Sequence, residues 1–153
     1  MEFIKLKIRP NIAQEKKLKT KYIYLDKLIL ELQKKNLPSE IIDEVNQYID
    51  AINSFSGSHK DLRKLVSKSL AAIFKMLEKQ LKLVPKSFYL TQWMVLGMAF
   101  GVPLGVVFGT SHGNMGLLGV GIPIGMLIGT IIGARMDKKA AEEGRQLDLE
   151  MKY

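Results

Sequence analysis

The sequence predicts an all-α membrane protein, in which a cytosolic antiparallel helical bundle or coiled coil precedes a transmembrane helical hairpin. Three observations predict it. Residues 87–134 contain no Asp, Glu, Lys or Arg. Near the middle of that run, Thr110-Ser111-His112-Gly113-Asn114 is polar and rich in turn formers. Ahead of the run, three stretches carry apolar residues in steps of three and four, separated by Asn36-Leu37-Pro38 and Ser56-Gly57-Ser58.

A crossing helix needs about 20 residues, so the run accommodates two crossings and a short turn. The expected spans are 88–109 and 115–134. Gly97, Gly101, Gly105 and Gly109 recur at every fourth position, as do Gly121, Gly125, Gly129 and Gly133. Residues four apart share a helix face, so each span carries a groove without side chains. In lipid, such grooves let backbones approach closely, and these eight glycines are the expected packing residues. GVPLGVVFGT (101–110) returns as GIPIGMLIGT (121–130). A hairpin turning at Gly113 sets Gly97 against Gly129, Gly101 against Gly125 and Gly105 against Gly121. It also sets Pro103 level with Pro123, where each proline removes a backbone donor and favours a kink.

With its GxxxGxxxGxxxG spans, the two GVPLG and GIPIG segments and the following MDKKAAEEGRQL, this part of the chain resembles small bacterial membrane proteins of the glycine-zipper type. The resemblance covers the hairpin and the tail. It implies an inner-membrane helical hairpin that self-associates, and it carries over no catalytic or ligand-binding residue.

Charge divides the chain. Residues 1–86 hold 18 Lys and Arg against 10 Asp and Glu, whereas the tail from Arg135 holds five of each. Lys79, Lys82 and Lys86 precede the first span, and Arg135, Lys138 and Lys139 follow the second. Lys and Arg accumulate on the cytoplasmic side, which places both termini there, with Tyr89 and Trp93 as interfacial anchors. The expected location is the bacterial inner (cytoplasmic) membrane. The opening MEFIKLKIRPNIAQEKK shows no apolar core followed by a cleavage site, so the first span is expected to serve as the insertion signal.

The basic domain, 1–86, is expected to hold helices over about 12–35, 38–55 and 59–84; the hairpin fills 87–134, and 135–153 is a cytosolic tail. Phe3 to Arg9 alternates apolar and basic residues, the period of a half-buried strand. Such a strand either pairs with another copy or is a loosely ordered lead-in. Asn11 with Gln14 reads as a capping box for the first helix, whose stripe is Leu18, Tyr22, Leu25, Ile29 and Leu32. Pro38 opens the second, with Ile41, Val45, Tyr48, Ile52 and Phe55. Ser58 with Asp61 caps the third, with Leu62, Val66, Leu70, Ile73, Leu77 and Leu81 on one side. These stripes read as core.

On the opposite side of the third helix, Lys60, Lys64, Lys68, Lys75, Lys79, Lys82 and Lys86 fall within about 100° at 3.6 residues per turn. The stripe is either a solvated face or a contact with the anionic inner leaflet through Lys75, Lys79, Lys82 and Lys86. The latter is worth about 1 kcal/mol per lysine. No module for nucleic acid accompanies it.

Cysteine is absent, so there is no disulfide, thiolate site or cysteine nucleophile. His59 and His112 lie at a helix start and in the hairpin turn, too far apart to share a metal or a catalytic triad. No nucleotide or metalloprotease motif occurs, and no cofactor or enzymatic role is expected. The spans carry no ionisable residue, which disfavours ion-coupled transport. The expected role is a homo-oligomeric membrane protein, pore-forming or membrane-perturbing, controlled by its cytosolic helices. Thr110, Ser111 and Thr130 would line the path. The alternative is a membrane-anchored adaptor that recruits a cytosolic protein partner. Glycines facing other subunits favour the first, and glycines spent within each hairpin favour the second.

Overall fold

Three amphipathic helices open the computed structural model, which describes residues 2–7, 12, 15–113, 116 and 118–150. They are α1 (Lys16–Gln33), α2 (Ser39–Ser54) and α3 (His59–Leu81). The α1 stripe is buried as its spacing requires, with Tyr24 and Leu28 added. The expected cap of α1 at Asn11 and Gln14 lies outside the described residues. On α2 the buried positions are Ile41, Val45, Ile49 and Ile52, while Tyr48 and Phe55 are half-buried. Four-residue steps thus replace the mixed rhythm at its centre. Both α1 and α2 pack against α3, whose buried residues include Leu62, Val66, Leu70, Ile73 and Leu77.

Reciprocal hydrogen bonds start α3. Ser58 Oγ accepts from the Asp61 N–H at 3.2 Å and donates to Asp61 Oδ2 at 2.7 Å, which satisfies a donor that the first turn leaves open. The helix stops at Leu81, short of the expected 84. Lys82 takes a left-handed conformation (φ 54°) and its N–H returns to the Glu78 carbonyl, while the Leu83 N–H reaches Leu77 at 3.1 Å. This closure satisfies the last carbonyls, so Pro85 follows the helix end and does not cause it.

Residues 2–7 form no strand. Of the alternating stretch, Ile8 and Arg9 lie outside the described residues. The rest is extended and held by two side chains of α2. Asn46 Oδ1 accepts from the Ile4 N–H at 2.9 Å, and its Nδ2 donates to the Glu2 carbonyl at 3.1 Å. Asn53 does the same with the Lys7 N–H (2.8 Å) and the Lys5 carbonyl (3.1 Å).

The chain divides between Leu83 and Val84 into two compact units. The second contains β1 (Val84–Lys86), α4 (Phe88–Ser111), α5 (Leu118–Glu142) and β2 (Gln146–Glu150). The two long apolar helices pack as a hairpin. The strands at its open end pair in parallel, Val84 with Gln146 and Pro85 with Leu147, before a bulge brings Lys86 to Glu150. Residues 135–150, expected as part of a tail, are therefore a helix end and a strand. The helix continues to Glu142, and Gly144 (φ 66°) reverses the chain into β2. Leu147 and Leu149 are buried there, and Lys86 pairs with Asp148.

Candidate functional site

Burial in the hairpin is inverted relative to a water-soluble core. On α4 the buried residues are Phe88, Gly101, Gly105 and Gly109. On α5, Gly121, Gly125, Gly129 and Gly133 are buried, with Asp137 and Ala140 at the open end. The large apolar side chains point outward: Phe100 is 68% exposed, Leu127 62% and Val107 59%. Each candidate span is a helix of 24 residues, Phe88–Ser111 and Gly119–Glu142, the second free of charged residues only as far as Ala134. At about 1.5 Å per residue the first is about 36 Å long and the charge-free part of the second about 24 Å, against a hydrocarbon core of about 30 Å. Two long, apolar, largely exposed helices suggest membrane insertion.

The glycines make the contact between the helices. A Cβ built on Gly97 would stand 2.1 Å from the Gly125 carbonyl oxygen, and one on Gly101 2.4 Å from that of Gly121. A Cβ on Gly121 or Gly125 would stand 2.3 or 2.1 Å from the Gly101 or Gly97 oxygen. One on Gly129 would stand 2.0 Å from the Trp93 oxygen, and one on Gly133 2.5 Å from the Leu90 Cα. Backbone therefore lies directly on backbone. Gly97 sits between Gly125 and Gly129, and so is staggered from the level pairing with Gly129. Gly119 differs, with nothing within 4 Å.

Pro103 and Pro123 lie inside continuous helices on the exposed outer surface. They lie away from the glycine contact. The hydroxyls of Thr110 and Thr130 return to their own helices, to Val106 at 2.9 Å and Met126 at 2.8 Å. His112 ends α4 with Nδ1 3.1 Å from the Phe108 carbonyl, and His59 begins α3 in the other unit.

Sequence reasoning missed the open end of the hairpin. Asp137, 9% exposed, accepts from the N–H groups of Tyr89 (3.1 Å) and Leu90 (2.9 Å). A carboxylate from α5 thereby caps α4, whose own Ser87 makes no cap. Val84, Phe88 and Ala140 cluster beside it, with Tyr89 packed on them. Arg145 bonds Glu143 through Nε at 2.6 Å. That bond, supported by Tyr89, raises its guanidinium above the ordinary value. The signals available were the alternating Leu147 and Leu149 and a lone Asp one turn beyond Gly133.

The lysines separate. Lys60, Lys64, Lys68, Lys75 and Lys79 are exposed along α3. Lys82 has left the helix, and Lys86 lies in β1 beside Asp148. The expected helical stripe therefore ends at Lys79, because extrapolating 3.6 residues per turn past Leu81 ignores the left-handed residue that closes the helix. The chain matches no protein-family model, no curated protein and no solved structure.

Proposed function

We propose that the hairpin is a self-contained anchor in the bacterial inner membrane, of the glycine-zipper type, and that the three-helix unit recruits a protein partner at its cytoplasmic face. One observation carries the reading: six glycines are already covered by the opposing backbone of the same hairpin. A face spent within one chain is not available to line a path with other copies. The Thr110 and Thr130 hydroxyls, bonded to their own helices, support the same view, since a polar path needs groups free to meet its contents. The exposed lysines of α3, Lys75 and Lys79 among them, provide contacts to anionic lipid.

A homo-oligomeric pore is the second reading. An open apolar groove beside Gly97, lined by Trp93, Leu96, Phe100 and Ile128, favours it, because a second copy would bury that surface. The experiment is to reconstitute the full chain in lipid and measure subunit number and ion conductance. The anchor reading expects one copy per assembly and no conductance. A fixed oligomer with stepwise currents overturns it.

A further inference from the structure

We propose that α2 carries a binding site for an extended, basic-apolar peptide segment of a partner protein, and that residues 2–7 occupy this site in its place. The proposal deepens the adaptor reading and rests on it. A primary amide has a donor and an acceptor side by side, so one Asn can hold a peptide as a neighbouring backbone would. Asn46 and Asn53 both do so, each bonding the N–H and carbonyl on either side of one apolar residue, first Phe3 and then Leu6.

The geometry repeats on both partners. Ile42-Asp43-Glu44-Val45-Asn46-Gln47-Tyr48 is followed by Ile49-Asp50-Ala51-Ile52-Asn53-Ser54-Phe55, with Ile, Asp and Asn identical in place. Seven helical residues advance about 10.5 Å, and three extended residues advance about 9–10 Å. One clamp therefore serves each three residues of ligand. In a flat strand, backbone groups three residues apart point to opposite sides, whereas a polyproline-like chain with three residues per turn brings them to the same side. The site selects that twisted, extended form.

Charge indicates the ligand. In a chain of net charge +8, the α2 sequence has Glu40, Asp43, Glu44 and Asp50 and no Lys or Arg. Its present occupant brings Lys5 and Lys7. That occupant is exchangeable, because none of residues 2–7 is buried and three of its four bonds are exposed. Such bonds contribute only about 0.5–1.5 kcal/mol each.

The test uses the full-length chain in nanodiscs and a fluorescent peptide, EFIKLK, with blocked ends. Deleting residues 2–7 should expose the site. The peptide should then bind at least about tenfold more tightly than to the intact chain, whose tethered arm competes at roughly millimolar effective concentration. Ile4→Pro with Lys7→Pro, which removes both bonded N–H groups from the arm, should open the site without shortening the chain. Asn46→Ala with Asn53→Ala should weaken peptide binding about tenfold or more. So should methylating the two corresponding amide nitrogens of the peptide. Changing its lysines to glutamates should weaken binding similarly, whereas Arg for Lys should be tolerated.

Equal binding to the intact and opened chains, or indifference to the two methyl groups, overturns the proposal. So does a dimer of the intact chain that disappears when residues 2–7 are deleted, since the natural occupant is then a second copy. Loss of peptide binding with a monomeric, silent hairpin defeats the clamp alone. Conductance with peptide binding preserved defeats the anchor reading alone.

Discussion

The carboxylate of Asp137, near the end of α5, holds the N–H of Leu90 in the first turn of α4 at 2.9 Å, and that of Tyr89 at 3.1 Å. The bond joins the start of one long helix to the end of the other, where glycine packing gives way to ordinary side chains. Hydrogen bonds to a charged group contribute about 1.5–3 kcal/mol each, so losing both in Asp137→Ala should destabilise the hairpin by about 3–6 kcal/mol. Asp137→Asn keeps one acceptor and should lose roughly half of that. Hydrogen exchange at the Tyr89 and Leu90 amides is the direct readout. Unchanged exchange in the alanine variant would show that the cap does not hold the hairpin closed.

Gly129→Ala should open the helix pair, because the new methyl group would stand 2.0 Å from the Trp93 oxygen. Backbone cannot yield as a side-chain tip can, and overpacking costs typically about 1–3 kcal/mol. Gly119→Ala, with nothing within 4 Å, should be neutral or slightly stabilising. Thermal unfolding in detergent compares the two directly. Equal effects would mean that these backbone contacts do not limit the approach of the helices.

Most of this architecture was legible from period and composition. The heptad-like stripes named Leu18, Leu25, Leu32, Val66, Ile73 and Leu77, all of which are fully or almost fully excluded from solvent, because a helix face is a local property of the sequence. The fourth-residue glycines likewise marked the packing face of each span. Their stagger was not legible, since interdigitation depends on how two backbones mesh rather than on equal spacing. Asp137 and the β1–β2 pair were missed for a related reason: each joins residues about 50 or more positions apart, and nothing local marks such partners. The bonds of Asn46 and Asn53 to the arm span 42 to 48 positions, and nothing local marks those partners either.

The start of α3 should respond to acid in a defined direction. Ser58's hydroxyl, with Lys64 and Lys60 adding to it, holds the Asp61 carboxyl below its ordinary value. The stabilisation is therefore complete above the unfolded value of about 3.9, and it is lost as pH falls through the lower folded value. Ser58→Ala should move the Asp61 titration upward and weaken its coupling to the helix start. An NMR titration of the amides around 59–62 reads both. A titration unchanged by the substitution would remove Ser58 as the cause.

If the exposed lysines of α3 rest on lipid, the chain's three-helix unit should be shielded by acidic bilayers. In nanodiscs containing anionic lipid, Lys75 and Lys79 should be protected from amine-reactive labelling, and raised salt should relieve the protection, since screening lengths fall to about 3 Å at 1 M. Neutral nanodiscs should give none. Labelling indifferent to lipid charge and salt returns these lysines to a solvated face.

Topology gives the sharpest test of the membrane reading. Residues 87–134 carry no charge, and moving a charged flank into the bilayer costs about 2.5 kcal/mol or more per residue. The parallel pairing of Val84 with Gln146 also brings the two flanks to the same end of the hairpin, which requires an even number of crossings. The chain has no cysteine, so single substitutions label without background. Ser111→Cys, beside the turn, should react with an impermeant thiol reagent applied to the outside of intact cells. Ser58→Cys and Glu142→Cys should react only after the membrane is opened, because the basic flanks favour the cytoplasmic side. If Ser58→Cys and Glu142→Cys label from opposite sides, α4 and α5 do not both cross. If all three label in intact cells, the helices lie outside the bilayer and the anchor is wrong.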